Sequence, residues 1–261
     1  MTTPALPVTP SLAARLVGIP QLILLDVDGT LAPIAPTPKD AVVPDETLQI
    51  VAALAARPHM HVAIVSGRAA GDARRLVDVS DAWFIGNHGF EVVAPSGALV
   101  VDGRVAPFLD RLSEAVVRLA PLTESVRGLF VEDKRFTLSV HYRLVDRPAV
   151  PQVRRVVETV AKDLGLRTID GKEIIELRPP LDVDKGTAVL SLAESLGALG
   201  PEASVLYVGD DRTDEDAFRA LRRASSRAVT IHVGAEHTEA EFWLRDPADT
   251  RELLAWILTH A

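Results

Sequence analysis

The 261-residue sequence contains no cysteine. That excludes a disulfide framework, a thiolate metal site and a cysteine nucleophile, and it fits a reducing cytosol. No apolar run approaches the ~18 residues that a membrane-spanning helix requires. Met1 to Pro10 holds three prolines and no basic start followed by an apolar stretch, so no secretory signal is expected there. Basic residues form no cluster, and the net charge is -8. This argues against nucleic acid or an anionic membrane surface as a partner. Internal repeats are lacking as well. A cytoplasmic protein is expected.

What remains is ordinary for a globular enzyme: 48% hydrophobic and 25% charged residues. The length suffices for a large core and a smaller inserted domain. A small anionic substrate stays compatible with the acidic balance, because a few placed cations can hold one phosphate.

Leu22-Ile23-Leu24-Leu25 is a short continuous apolar run, the habit of a strand buried on both faces of a parallel sheet. Asp45 is expected to cap a helix carrying Leu48, Val51 and Leu54, ended by Pro58. A second strand is read over His61 to Val65, a helix over Ala69 to Val77, and a third strand over Trp83 to Ile85. Residues 1 to 10 read as a loose lead-in. The rhythm then changes. A hairpin over Glu91 to Val101 turns near Pro95-Ser96-Gly97. Helix, two strands, helix and two strands follow, the last pair turning at Asp170-Gly171. After 182 the first rhythm returns, with a helix from Lys185, a strand over Ser204 to Val208, and a helix opened by a Thr213–Asp216 capping box. A strand over Ala228 to Val233 and a helix from Asp246-Pro247 complete the chain. The expected fold is α/β: a Rossmann-like parallel-sheet core, residues 1–104 and 181–261, with an α+β cap domain inserted at 105–180.

Three strand ends carry polar groups directly after an apolar run: Asp26/Asp28, Ser66 and Asp210/Asp211. In an open parallel sheet such ends line the ligand crevice. Each alone could be a helix cap, but all three together with Asp28-Gly29-Thr30 point to one site. Asp26, Asp28, Asp210, Asp211 and Asp214 supply hard oxygen donors, which suits Mg²⁺. Carboxylates this close require a cation, and Lys185 can supply a second positive charge.

These residues resemble the four motifs of the haloacid dehalogenase superfamily: Asp26-x-Asp28-Gly29-Thr30, Ser66, Lys185-Gly186 and Gly209-Asp210-Asp211-x-x-Asp214. Longer strings are similar to trehalose-6-phosphate phosphatases: Leu25 to Ile34, Gly86 to Glu91, Val131 to Lys134, Ser139 to Arg143, Gly171-Lys172, Glu176 to Pro179 and Gly209 to Phe218. Val27 stands where many relatives have an aromatic residue.

The resemblance implies Mg²⁺-dependent hydrolysis of a sugar phosphate, trehalose 6-phosphate, within trehalose biosynthesis. It also implies a functional link to a trehalose-6-phosphate synthase. Asp26 would be the nucleophile that forms an aspartyl-phosphate. Asp28 would protonate the leaving oxygen and then activate water. Lys185 and Ser66 would hold phosphoryl oxygens. The metal would be held by Asp26, the backbone carbonyl of Asp28, and Asp210, with Asp211 and Asp214 as ligands or supports around it. In the insert, Glu132, Lys134, Arg143, Lys172 and Glu176 would contact sugar. Strand parity puts Ser139, His141 and Arg143 opposite Leu138 and Val140, a polar face suited to hydroxyls or simply to solvent. Asn87 and His88 follow a strand end and face either the cleft or a structural hydrogen bond. Arg68 orients the Ser66 segment, meets phosphate, or starts a helix. The alternatives are a phosphatase for sucrose phosphate, glucosylglycerol phosphate or mannosyl-phosphoglycerate, a sugar phosphomutase, and a non-catalytic phosphosugar sensor.

Overall fold

The computed structural model describes residues 9–260; the stretch 1–8, which holds most of the expected lead-in, lies outside the described residues. The chain falls into two compact units, Met1–Val100 with Val183–Ala261, and Val101–Asp182.

The first unit opens with α1 (Pro10–Leu16), β1 (Gln21–Leu25), α2 (Asp45–Ala55), β2 (Met60–Val65), α3 (Ala70–Leu76), β3 (Trp83–Gly86), β4 (Glu91–Val93) and β5 (Leu99–Val101). The second unit holds α4 (Leu109–Ser125), β6 (Phe130–Asp133), β7 (Leu138–His141), α5 (Val150–Asp163), β8 (Arg167–Gly171) and β9 (Ile174–Arg178). The first unit resumes with α6 (Lys185–Ser195), β10 (Ser204–Gly209), α7 (Asp214–Ala224), β11 (Val229–Val233), β12 (Phe242–Leu244) and α8 (Pro247–His260).

Eight strands form one sheet in the order β12-β11-β10-β1-β2-β3-β4-β5. From β12 to β3 every pairing is parallel, and β4 turns back antiparallel to β3. All five residues of β1 are buried, as its unbroken apolar run predicts. Its side chains alternate between two cores. Ile23 and Leu25 pack with Val51 and Leu54 of α2 and Leu253 and Leu254 of α8. Leu22 and Leu24 pack with Val189 of α6 and Phe218 and Leu221 of α7. Each such side chain contributes roughly 1.5–3 kcal/mol when fully buried. The same alternation carries Asp26 toward the α6–α7 side. Chain order reverses at β1, which has β2 on one side and β10 on the other. That reversal is where an α/β sheet leaves a crevice.

The second unit packs α4 and α5 on one face of a sheet ordered β6-β7-β9-β8. Leu138, Val140, Ile175 and Leu177 meet Leu112 and Leu119 of α4 and Val153 and Val157 of α5 in a core of its own.

Several local expectations need correction. Pro10 opens a helix, because Thr9 Oγ1 caps it by accepting the Leu12 N–H at 3.3 Å. Asp45 is the first helical residue of α2 rather than its cap, which is Pro44. No Thr213–Asp216 capping box forms, since Thr213 is already helical and its side chain makes no cap bond. Asp170-Gly171 is not a turn: Gly171 pairs with Ile174, and the turn is Lys172-Glu173, with Glu173 at φ 63°. Gly171 makes a close approach instead: an ideal Cβ there would lie 2.7 Å from Ile174 Cγ1, so that side chain would have to shift. Strand β12 was not expected; it is three residues long, too short for a periodic signal.

Candidate active site

Backbone register brings the polar strand ends together. Leu25 lies beside Val208 of β10 and Ile64 of β2. One step on, Asp26 stands beside Gly209, and its N–H donates to the Val208 carbonyl at 3.0 Å. Ser66 follows β2 on the other side, buried, with its N–H on the Ile85 carbonyl at 2.8 Å.

Lys185 reaches this point from the first residue of α6. Asp184 caps that helix with a reciprocal box: its Oδ1 accepts the Thr187 N–H at 2.7 Å, and Thr187 Oγ1 accepts the Asp184 N–H at 3.1 Å. The motif Asp184-x-x-Thr187 was legible in the sequence and escaped the reading. A cation at a helix N-terminus is disfavoured by the helix dipole. Two carboxylates offset that cost, since Lys185 Nζ donates to Asp26 Oδ1 and to Asp214 Oδ1, each at 2.7 Å.

Asp214, the first residue of α7, is fully engaged by donors. Its Oδ1 also accepts the Tyr207 hydroxyl at 2.7 Å. Its Oδ2 accepts the N–H groups of Asp210 (3.1 Å) and Asp211 (2.9 Å). Asp214 thus shapes the loop that presents Asp210. Tyr207 was missed because it sits in an apolar strand run, where an aromatic ring reads as core; its ring does pack edge-on against Phe218 at 5.6 Å.

One carboxylate oxygen from each of Asp26, Asp210 and Asp214 lies within 4.8 Å of the other two, and all three residues are buried. Asp211 stands outside this cluster, with its Oδ1 on the Arg212 N–H at 2.7 Å. Burial pushes the Asp26 carboxyl well above the ordinary range; Lys185 pulls it down, while Asp214 and Asp210 push it further up. Burial pulls the Lys185 ammonium down, but Asp214 and Asp26 more than offset this and leave it raised. Burial and then Asp214 raise the Tyr207 hydroxyl well above its usual value. Three buried carboxylates against one ammonium leave an excess of negative charge. An all-oxygen donor set with that excess fits a hard divalent cation.

Gly29, at φ 94°, permits the turn after Asp28 and leaves room for the Asp210 carboxylate: an ideal Cβ there would overlap Asp210 Oδ2. Asp28 is not in the carboxylate cluster. Arg68 grips it with two hydrogen bonds, Nε to Oδ2 and Nη2 to Oδ1, both 2.6 Å. Arg68 Nη1 also donates to the Pro38 carbonyl at 2.9 Å. This contact with Asp28 was not among the roles expected for Arg68. Asn87 and His88 are buried beside the Ser66 segment, with the His88 N–H on the Ser66 carbonyl at 3.1 Å.

In the second unit, register sets Glu132, Ser139 and Glu176 side by side on the face opposite the core. Glu176 is 2% exposed and serves three donors: Lys134 Nζ (2.8 Å) and Ser139 Oγ (3.3 Å) on Oε1, and Arg178 on Oε2. His141 Nε2 meets Glu132 Oε2 at 2.9 Å. Arg143 lies past the end of β7 and Lys172 in the turn, where Arg143 contacts the Lys172 carbonyl (3.1 Å) and Glu173 Oε2 (3.0 Å). Arg178 was not anticipated; its alternation with Glu176 along β9 was the available signal.

A doubly wound sheet with a buried aspartate at the end of its central strand, a lysine from a later helix and an acidic loop after β10 defines a core of the haloacid dehalogenase type. The trehalose-phosphatase family model matches residues 24–248, and the chain belongs to that family. An uncharacterized glycosyl hydrolase of Mycobacterium tuberculosis is 37% identical over 96% of this chain, which spans 19% of that protein's length. Probable trehalose-phosphate phosphatase 4 of Oryza sativa subsp. japonica is 35% identical over 93% of this chain and 67% of its own length. A crystal structure of a trehalose-6-phosphate phosphatase related protein matches with a TM-score of 0.80 at 30% identity, covering 91% of this chain and 97% of that chain.

Proposed function

We propose that this chain is a Mg²⁺-dependent phosphatase that hydrolyses trehalose 6-phosphate to trehalose and phosphate through an aspartyl-phosphate on Asp26. The carrying observation is the joint placement of Asp26, Lys185, Asp210 and Asp214 at the end of β1. Family membership supplies the substrate.

Asp26 Oδ2 is the oxygen left by the Lys185 bond on Oδ1, and it attacks phosphorus as the ester P–O bond breaks. Asp28, protonated and with one of its two Arg68 bonds opened, gives its proton to the departing sugar oxygen. It then takes a proton from the water that attacks phosphorus and cleaves the acyl-phosphate, so one carboxyl serves both half-reactions. The two Arg68 bonds fix where that carboxyl points. Ser66 and Lys185 hold phosphoryl oxygens, on which charge spreads in the transition state. Asp26, Asp210 and the Asp28 carbonyl would hold Mg²⁺, which supplies charge neutralisation and polarises a phosphoryl oxygen. Asp214 supports rather than ligates, because both its oxygens are already occupied by four donors.

The second unit, with Glu132, Lys134, Arg143, Lys172 and Glu176, is assigned to sugar recognition. Glu176 acts there by holding Lys134 and Arg178 in place. The functional partner is a trehalose-6-phosphate synthase, and the location is the cytoplasm. Among the described residues no helix is long and apolar enough to cross a membrane. The test is phosphate release from trehalose 6-phosphate with Mg²⁺, with chelator, and with Asp26→Asn. Turnover that survives chelation or the substitution would refute the mechanism.

A further inference from the structure

Beyond Gly86 the chain enters two successive left-handed residues that are not glycine, Asn87 at φ 49° and His88 at φ 57°. Such residues are strained and persist only where surrounding contacts over-determine them. The contacts are specific. The Asn87 N–H donates to the Arg68 carbonyl at 2.7 Å, and the His88 N–H to the Ser66 carbonyl at 3.1 Å. These two carbonyls flank Gly67. The His88 ring fills the space that a Gly67 side chain would need. On its other side, Gly89 abuts the start of α6: an ideal Cβ would lie 2.8 Å from Ala188 Cβ and 2.9 Å from the Asp184 carbonyl oxygen. Asn87 to Gly89 therefore form a strap between the Ser66 segment and the helix that carries Lys185.

One carboxylate pins this strap. Glu91 Oε1 accepts Asn87 Nδ2 at 2.6 Å and the Ala70 N–H at 2.8 Å. Ala70 is the first residue of α3, whose cap residue Ala69 has no side-chain acceptor to offer. Glu91 is 8% exposed, and Asn87 and Ala70 are fully buried, so bulk water does not replace this acceptor where it is removed. The acceptor joins the strap to the far end of residues 66–70.

We infer that Glu91 is a positioning residue for phosphoryl binding, acting through the Asn87–Gly89 strap on Ser66. The inference rests on the reading of Ser66 as a phosphoryl ligand. Its readout is therefore binding of inorganic phosphate to the Mg²⁺-loaded protein by calorimetry, which needs no turnover and no sugar. Glu91→Leu removes the acceptor at similar volume. Glu91→Gln keeps Oε1 and serves as the conservative rescue. Glu91→Leu is expected to weaken phosphate binding about tenfold, and Glu91→Gln to stay within about threefold of wild type. Thermal melts of both variants establish that the folded protein is being measured. Equal phosphate affinity in wild type and Glu91→Leu would overturn the inference. So would a Glu91→Gln defect as large as that of Glu91→Leu, which would mark a merely structural carboxylate, and so would a wild type that binds no phosphate. The substrate assignment fails separately: wild type that binds phosphate and cleaves 4-nitrophenyl phosphate, but not trehalose 6-phosphate, leaves the Glu91 inference standing or falling on its own numbers.

Discussion

Asp26→Asn should stabilise the metal-free protein at neutral pH while abolishing turnover. Asp26 shares its site with Asp210 and Asp214, with one oxygen of each within 4.8 Å of the others. At an effective dielectric of about 20, each repulsion is about 3.5 kcal/mol, so two give roughly 7. The Lys185 contact at 2.7 Å returns roughly 6 on the same scale. These nearly cancel, which leaves burial to decide, and burial disfavours the charged form. Asparagine keeps the shape and a carbonyl acceptor for Lys185. A gain of about 1–3 kcal/mol is expected, or several degrees in Tm for a chain of this size. The sign with pH follows from the raised carboxyl. Its ionisation in the folded state costs nothing below the unfolded value near ~4, and the cost grows as pH rises through that value toward the folded one. Thermal melts by circular dichroism in chelator, from pH 4 to pH 8, should show the two proteins converging at the acid end and the variant higher at pH 8. Added Mg²⁺ should raise wild type and close the gap. A variant less stable than wild type at pH 8 in chelator, or a gap that ignores pH, would refute the electrostatic account.

Gly29→Ala should displace the Asp210 carboxylate and add strain at a positive φ, weakening Mg²⁺ activation by tenfold or more; titration of activity against Mg²⁺ reads this. Asp28→Asn should lower turnover of trehalose 6-phosphate on the order of 10²-fold, and less for 4-nitrophenyl phosphate in the first half-reaction, where the leaving group needs no proton; burst kinetics separate the two steps. Glu176→Leu leaves Lys134 and Arg178 buried at 6% and 3% side-chain exposure without their shared acceptor, and should destabilise the protein by about 3–5 kcal/mol in a denaturant melt.

The central strands were legible because β1, β2 and β10 are buried on both faces, and so appear as unbroken apolar runs ending at polar residues. The carboxylate cluster follows from those same ends. What stayed hidden depends on pairing across distant segments. Asp28 and Arg68 are 40 residues apart, and nothing in either neighbourhood announces a two-pronged bond. The roles of Asp214 and Tyr207 emerge only when register places β10 against β1. The Asp170-Gly171 turn failed for a related reason: glycine marks both turns and close approaches, and only the strand opposite tells which. Glu91 lay inside a recognised string, but its work is visible only once Ala70 and Asn87 are seen to share its oxygen.

The most direct test of the substrate assignment is kcat/KM for phosphate release from trehalose 6-phosphate, measured beside sucrose phosphate, glucosylglycerol phosphate and mannosyl-phosphoglycerate in Mg²⁺. Trehalose 6-phosphate is expected to be preferred by at least about tenfold, a difference of roughly 1.4 kcal/mol in transition-state binding. Comparable or faster turnover of another sugar phosphate, or an isomerised sugar phosphate in place of free phosphate, would contradict it.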